Sequence, residues 1–102
     1  MSYEYLASIG SDVNIPLKQL FEPPALPSYI EVLSATQSQW QLRWRDAPKR
    51  EQWPEDITVS RQSGGLWVAF HSGTKGDRKE LLSWLAPKLE QITGVRVDFE
   101  EQ

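Results

Sequence analysis

From Gln39 to Arg45 the chain alternates without a slip: Trp40, Leu42 and Trp44 on one parity, Gln39, Gln41, Arg43 and Arg45 on the other. A period of two with one apolar and one polar face is the pattern of an antiparallel strand, buried on one side and wet on the other. Each indole on the buried side brings the largest apolar area of any side chain and one N–H that needs a partner when covered. Five tryptophans stand in these 102 residues, at positions 40, 44, 53, 67 and 84. A chain this short does not hide five such rings casually, so at least one is expected to face outward toward a partner.

Size and composition set the frame for that expectation. A chain of 102 residues reads as one domain over 1–102, able to bury roughly two-thirds of its unfolded surface. Hydrophobic content of 39% and charged content of 25% are those of a globular protein rather than a disordered one. There is no cysteine, which excludes a disulfide framework and thiolate metal sites and fits a reducing compartment. The start lacks the basic and apolar regions of a secretory signal, and no apolar run approaches the roughly 20 residues of a membrane helix. The expected setting is the cytoplasm. The formal net charge of −3 weighs against nucleic-acid binding, although Arg43, Arg45, Lys49 and Arg50 make one basic stretch in an otherwise acidic chain.

The remaining elements follow from the same rules. Tyr3 to Ile9 reads as a strand with Tyr3, Tyr5, Ala7 and Ile9 on one face. Asn14 and Pro16 open a short helix carrying Leu17, Leu20 and Phe21, which Pro23-Pro24 stops. Tyr29 to Ala35 is apolar on both parities, as in a central strand covered on both faces. Residues 46–56 form a long charged loop with two prolines. Ile57 to Gln62 and Gly65 to His71 make a hairpin, with Gly64-Gly65 supplying the positive φ of a tight turn. In the second arm Leu66, Val68 and Phe70 share one face, and Trp67, Ala69 and His71 the other. Asp77 with Glu80 resembles a capping box ahead of a helix bearing Leu81, Leu82, Leu85, Leu89 and Ile92. Pro87 is expected to kink that helix or divide it, and Gly94 to close it. Val95, Val97 and Phe99 alternate in a last strand.

The fold class is therefore α+β: a mostly antiparallel sheet of about five to six strands, with one short and one long, Pro-kinked helix packed on it. The long helix joins the strand ending at His71 to the last strand by a crossover long enough for a parallel βαβ unit.

No residue set carries recognisable chemistry. His71 is the only histidine, and without a cysteine or a second fixed acid it completes neither a triad nor a metal site. Gly73 to Asp77 lacks the spacing of a phosphate loop. No catalytic residue, cofactor or metal is expected. Arg43, Arg45, Lys49, Arg50 and Arg61 with Trp53 and Trp67 supply the ingredients of a single-stranded nucleic-acid surface, but Asp46, Glu51, Glu55 and Asp56 interrupt it. A protein-binding surface fits better. Trp53, ringed by Glu51, Glu55 and Asp56, together with Trp67, Arg43 and Arg45, has the composition of an interface anchor. Two placements stay open for each ring: Trp53 outward or folded over the core, Trp67 outward or inward.

This overall plan resembles the small immunity proteins of bacterial toxin–immunity systems, including those of contact-dependent growth inhibition: a cysteine-free, acidic, Trp-rich α+β domain of about a hundred residues without a catalytic set. The resemblance rests on no shared motif and carries over no residue by position. It implies a non-enzymatic, cytoplasmic immunity protein that binds and neutralises a toxin domain such as a nuclease. A homo-oligomeric module using an exposed sheet face or edge is the alternative, and a nucleic-acid binder the third. A monomer or homodimer is expected for the free chain, with no membrane association.

Overall fold

The computed structural model describes residues 2–10, 27–36, 38–45, 55–62 and 64–102. Within them the fold is α+β, with a six-stranded antiparallel sheet and one helix. The strands are β1 (Tyr3–Ser8), β2 (Ile30–Ala35), β3 (Gln39–Trp44), β4 (Ile57–Gln62), β5 (Gly65–Phe70) and β6 (Phe99–Glu101), and helix α1 (Lys75–Thr93) lies between β5 and β6 in the chain. They assemble in the order β2-β3-β4-β5-β1-β6. Both β5 and β6 run antiparallel to β1 between them, so they are parallel to each other. The crossover through α1 thus joins two parallel strands that are not neighbours, as its length allows. The short helix read at 14–22 and the connection at 46–54 lie outside the described residues.

One face of the sheet carries the core. Alternation places Ala7, Leu42, Ile57, Val59, Leu66, Val68 and Phe70 on that side, all fully buried. Leu81, Leu85 and Leu89, spaced four apart along α1, pack onto them and are equally buried. Each such side chain stabilises the fold by about 1.5–3 kcal/mol relative to exposure. Aromatic rings extend this core along one end of the sheet: Tyr29 stacks on Trp44, Trp44 on Phe70, and Tyr5 meets Phe70 edge-on.

Four expectations need correction. β2 is an edge strand rather than a central one. Its register slips between Val32 and Ser34, and that bulge lets Leu33 turn to solvent, 41% exposed. The apolar residues on both parities come from this slip, not from cover on both faces. The helix begins three residues earlier than the Asp77–Glu80 pattern suggests. Thr74 is the N-cap and Asp77 is the third helical residue: Asp77 N–H donates to Thr74 Oγ1 at 3.1 Å, and Thr74 N–H to Asp77 Oδ2 at 2.9 Å. The capping box is real, but Gly73 and Gly76 made its first turn look like loop. Helix α1 is also one segment through Pro87 rather than two abutting pieces. That proline is exposed, so its ring sits on the solvent side, where the Ser83 carbonyl left without an N–H can meet water. Finally, β6 is only three residues long. Val97 drops into the core at 3% exposure while Val95 stays outside, and Glu90 Oε1 accepts from Val97 N–H at 3.2 Å to hold the chain between helix and strand.

Two glycines are required where they stand. Gly94 takes the left-handed conformation at φ 73° and its N–H closes on the Glu90 carbonyl at 2.8 Å. Gly65 lies where a Cβ would collide with the backbone carbonyl of Ala7, so β1 and β5 approach only because the side chain is missing.

Candidate functional site

The second face of the sheet is the side opposite α1, and cross-strand pairing orders its residues into rows. One row runs Gln39, Ser60, Trp67, Leu6, Glu100, and the next runs Ser34, Gln41, Thr58, Ala69, Glu4. Trp67 and Leu6 are directly opposed on neighbouring strands and both are half-buried. An aromatic–aliphatic pair at such a position contributes to sheet pairing and leaves part of the indole accessible. Around it stand amides and hydroxyls from Gln39, Gln41 and Ser60, with carboxylates at Glu4 and Glu100. This is a half-buried aromatic–aliphatic pair with a polar rim, assembled from side chains that the strands position.

At the end of this face His71 is braced on both sides. Its Nδ1 lies 2.8 Å from Ser2 Oγ and its Nε2 lies 2.9 Å from Thr58 Oγ1. Burial lowers its pKa from the ordinary value, opposed by the carboxylates of Glu55, Asp56 and Glu4. Hydroxyls on both ring nitrogens make His71 a cross-link between β1, β4 and the end of β5. Among the described residues no three His, Asp or Glu side chains come close enough to hold a metal ion.

The structure separates the residues that the sequence grouped. Trp67 lies on the second face. Glu55 is half-buried near His71. Asp56 is 2% exposed, its carboxylate engaged inside the fold by Trp44 and Ser72. Arg43 is buried and its Nη1 donates to Glu31 Oε2 at 3.1 Å. Arg45 is exposed, but its guanidinium is turned onto β2, donating to the carbonyls of Ser28 and Ile30. Trp53 and Glu51 lie outside the described residues. Of the rest, Trp67 and Glu55 alone remain at an accessible surface with their side chains clear of such internal bonds, and Leu6 joins Trp67 unforeseen. Leu6 shares its parity with Glu4 and Ser8 and looks incidental until the register sets it opposite Trp67.

Among the described residues, two clefts lie beside α1 on the other side of the sheet. One, of about 410 Å³, runs between the helix and β6 and is lined by Lys75, Lys79, Leu82 and Phe99 among others. The second, of about 300 Å³, is lined among the described residues by Tyr29, Trp44, Asp77 and Glu80. Neither is visible in the residue pattern, because each needs the helix placed against a particular strand.

No helix among the described residues is long and apolar enough to cross a membrane. Comparison of the chain with protein-family models, with curated proteins and with solved structures gives no match.

Proposed function

We propose that this chain is a non-enzymatic protein-binding module that docks through the second face of its sheet. The observation that carries the reading is the Trp67–Leu6 pair, half-buried on the face away from α1 and set among Gln39, Gln41 and Ser60. A rigid ring of large area within a polar rim, here amides and hydroxyls with the Glu4 and Glu100 carboxylates at its margin, is the composition that anchors protein interfaces. In its narrower form the reading is an immunity-type inhibitor, which meets a toxin domain in the cytoplasm and covers its active site. Such a contact buries on the order of 1,600 Å² in total, an area that a six-stranded sheet face can supply a large share of.

The test is site-specific photo-crosslinking in cells that make the protein. A crosslinker at Gln39 or Ser60 is expected to trap a discrete partner, and the same group at Gln91 on the outer side of α1 is not. Trp67→Ala should abolish the product. A face that traps nothing, or a product indifferent to Trp67→Ala, would overturn the reading. If the trapped partner is a second copy of the chain, the homo-oligomeric alternative takes its place, and sedimentation of the purified protein would then show a dimer.

A further inference from the structure

The cleft between Tyr29 and α1 has walls of two kinds. On the sheet side, Tyr29 and Trp44 are stacked with ring centroids 6.3 Å apart and planes 28° from parallel. Trp44 is itself backed by Phe70 at 6.3 Å and 14°, and its Nε1–H donates to the Ser72 carbonyl at 3.4 Å. The indole is therefore fixed before anything enters. Tyr29 and Trp44 are both only half-buried, so ring surface is left facing the cleft.

On the helix side stand Asp77 and Glu80, three residues apart and so on one flank of α1. Asp77 uses Oδ2 to cap the helix, and Glu80 is exposed. Neither forms an ion pair with a described residue. The cations of the same helix lie elsewhere. Lys75 and Lys79 line the cleft on the opposite flank, and Arg78 is turned over the Tyr3 ring at 3.8 Å with its Nε donating to Tyr5 Oη at 3.4 Å. Arg45, on the adjoining strand end, is held by the Ser28 and Ile30 carbonyls. Lys88, farther along the same flank, is held over the Trp84 ring at 4.9 Å. Among the described residues, two carboxylates and two aromatic rings thus line one concavity with no cation between them.

We propose that this cleft binds a guanidinium or alkylammonium group carried on an apolar stem. Ring faces attract a cation through their quadrupoles, more strongly where water is partly excluded. The Glu80 carboxylate supplies the opposing charge, and the aromatic walls take the methylenes behind the charged head. The volume of about 300 Å³ is at the lower end for small-molecule sites, which suits one such side chain and little more. The Tyr29 phenol has a raised pKa, through burial first and the Glu80 carboxylate second, as expected if that carboxylate projects its field into the cleft. The chain already makes this kind of contact internally, with Arg78 over Tyr3 and Lys88 over Trp84. The site lies on the helix-covered side of the sheet, so it is separate from the Trp67 face.

The test is titration of the labelled protein with the Nα-acetylated forms of arginine amide, lysine amide and, as the neutral isostere, citrulline amide, followed by nuclear magnetic resonance. Saturable shifts of the Trp44 indole N–H and the Glu80 amide are expected with the two cations, at least about fivefold weaker with citrulline amide. Glu80→Gln should weaken binding by about fivefold, the size of an exposed charge contact, and Tyr29→Leu by a similar factor. Trp67→Ala should leave these titrations unchanged, so that loss of the Trp67 interface would not be confused with loss of this site. A short arginine-containing peptide binding more tightly than arginine amide would identify the source as a polypeptide side chain; equal affinities would identify a free cation. Shifts absent for both cations, or equal for citrulline amide, or unaltered by Glu80→Gln, would overturn the proposal.

Discussion

Asp56 holds Trp44 by its backbone: Oδ2 of the carboxylate accepts the Trp44 N–H at 2.9 Å while Oδ1 accepts the Ser72 hydroxyl at 2.6 Å. Since the Trp44 indole also donates to the Ser72 carbonyl, the three residues form a closed bracket between the end of β3, the start of β4 and the segment entering α1. Truncation of Asp56 would strand a part-buried N–H and a hydroxyl together. Asp56→Ala is expected to destabilise the protein by about 1–3 kcal/mol, measured as a lowered denaturant midpoint with unchanged slope. An unaltered midpoint would show the bracket to be dispensable.

The close approach of β1 to β5 at Gly65 gives a second expectation. Gly65→Ala must push two paired strands apart, because the obstacle is the Ala7 backbone rather than a flexible side chain. At Gly94 a Cβ meets nothing within 4 Å, and substitution there costs only the left-handed strain of about 1–2 kcal/mol. Thermal unfolding should therefore place Gly65→Ala well below Gly94→Ala.

Adjacent residues on β5 should behave oppositely. Leu66 is fully buried in the core, and Leu66→Ala is expected to cost about 2–5 kcal/mol. Trp67, on the far face and half-buried, should cost less despite its greater size, its main effect falling on partner binding. Chemical denaturation of the two variants side by side decides this; a larger loss for Trp67→Ala would make that ring a structural element.

His71 sets a pH dependence whose direction follows from its environment. Its folded pKa lies below the ordinary 6.5, so the unfolded chain takes up the proton first as pH falls. The stability it contributes is complete above about 6.5 and is lost as pH drops through the folded value. His71→Gln retains hydrogen-bonding capacity without the titration. The wild-type protein should lose more stability between pH 7.5 and pH 5 than this variant, read from paired denaturation curves; parallel losses would remove His71 as a cause.

Much of this architecture was legible in the residue pattern, because period and punctuation are local properties. The alternation of Trp40, Leu42 and Trp44, the hairpin around Gly64, and Leu81, Leu85 and Leu89 along α1 all lie where spacing puts them. Register and edge position are not local. The bulge at Leu33 mimics a strand covered on both faces, and glycines flanking its turn hide Thr74 as a cap. The candidate site divided in the same way. The outward parity of Trp67 could be read from its own strand, whereas Leu6 became part of the site only through pairing. Asp56 and Arg43 looked like surface charges because sequence carries no signal for hydrogen bonds to Trp44, Ser72 and Glu31.

Placing β1 between β5 and β6 sets Tyr3 opposite Phe70 and Tyr5 opposite Glu101. The 57–70 hairpin can close on its own within about 1–10 μs. The remaining half of the sheet must wait for segments from distant parts of the polypeptide, which meet the entropy of loop closure before any contact rewards them. The first strand of the sheet thus fits into a slot whose outer wall, β6, follows every other strand in chain order. Until that slot fills, β5 presents a bare ladder, and the nascent molecule is most open to mispairing at the seam that later becomes the middle of its Trp67 face.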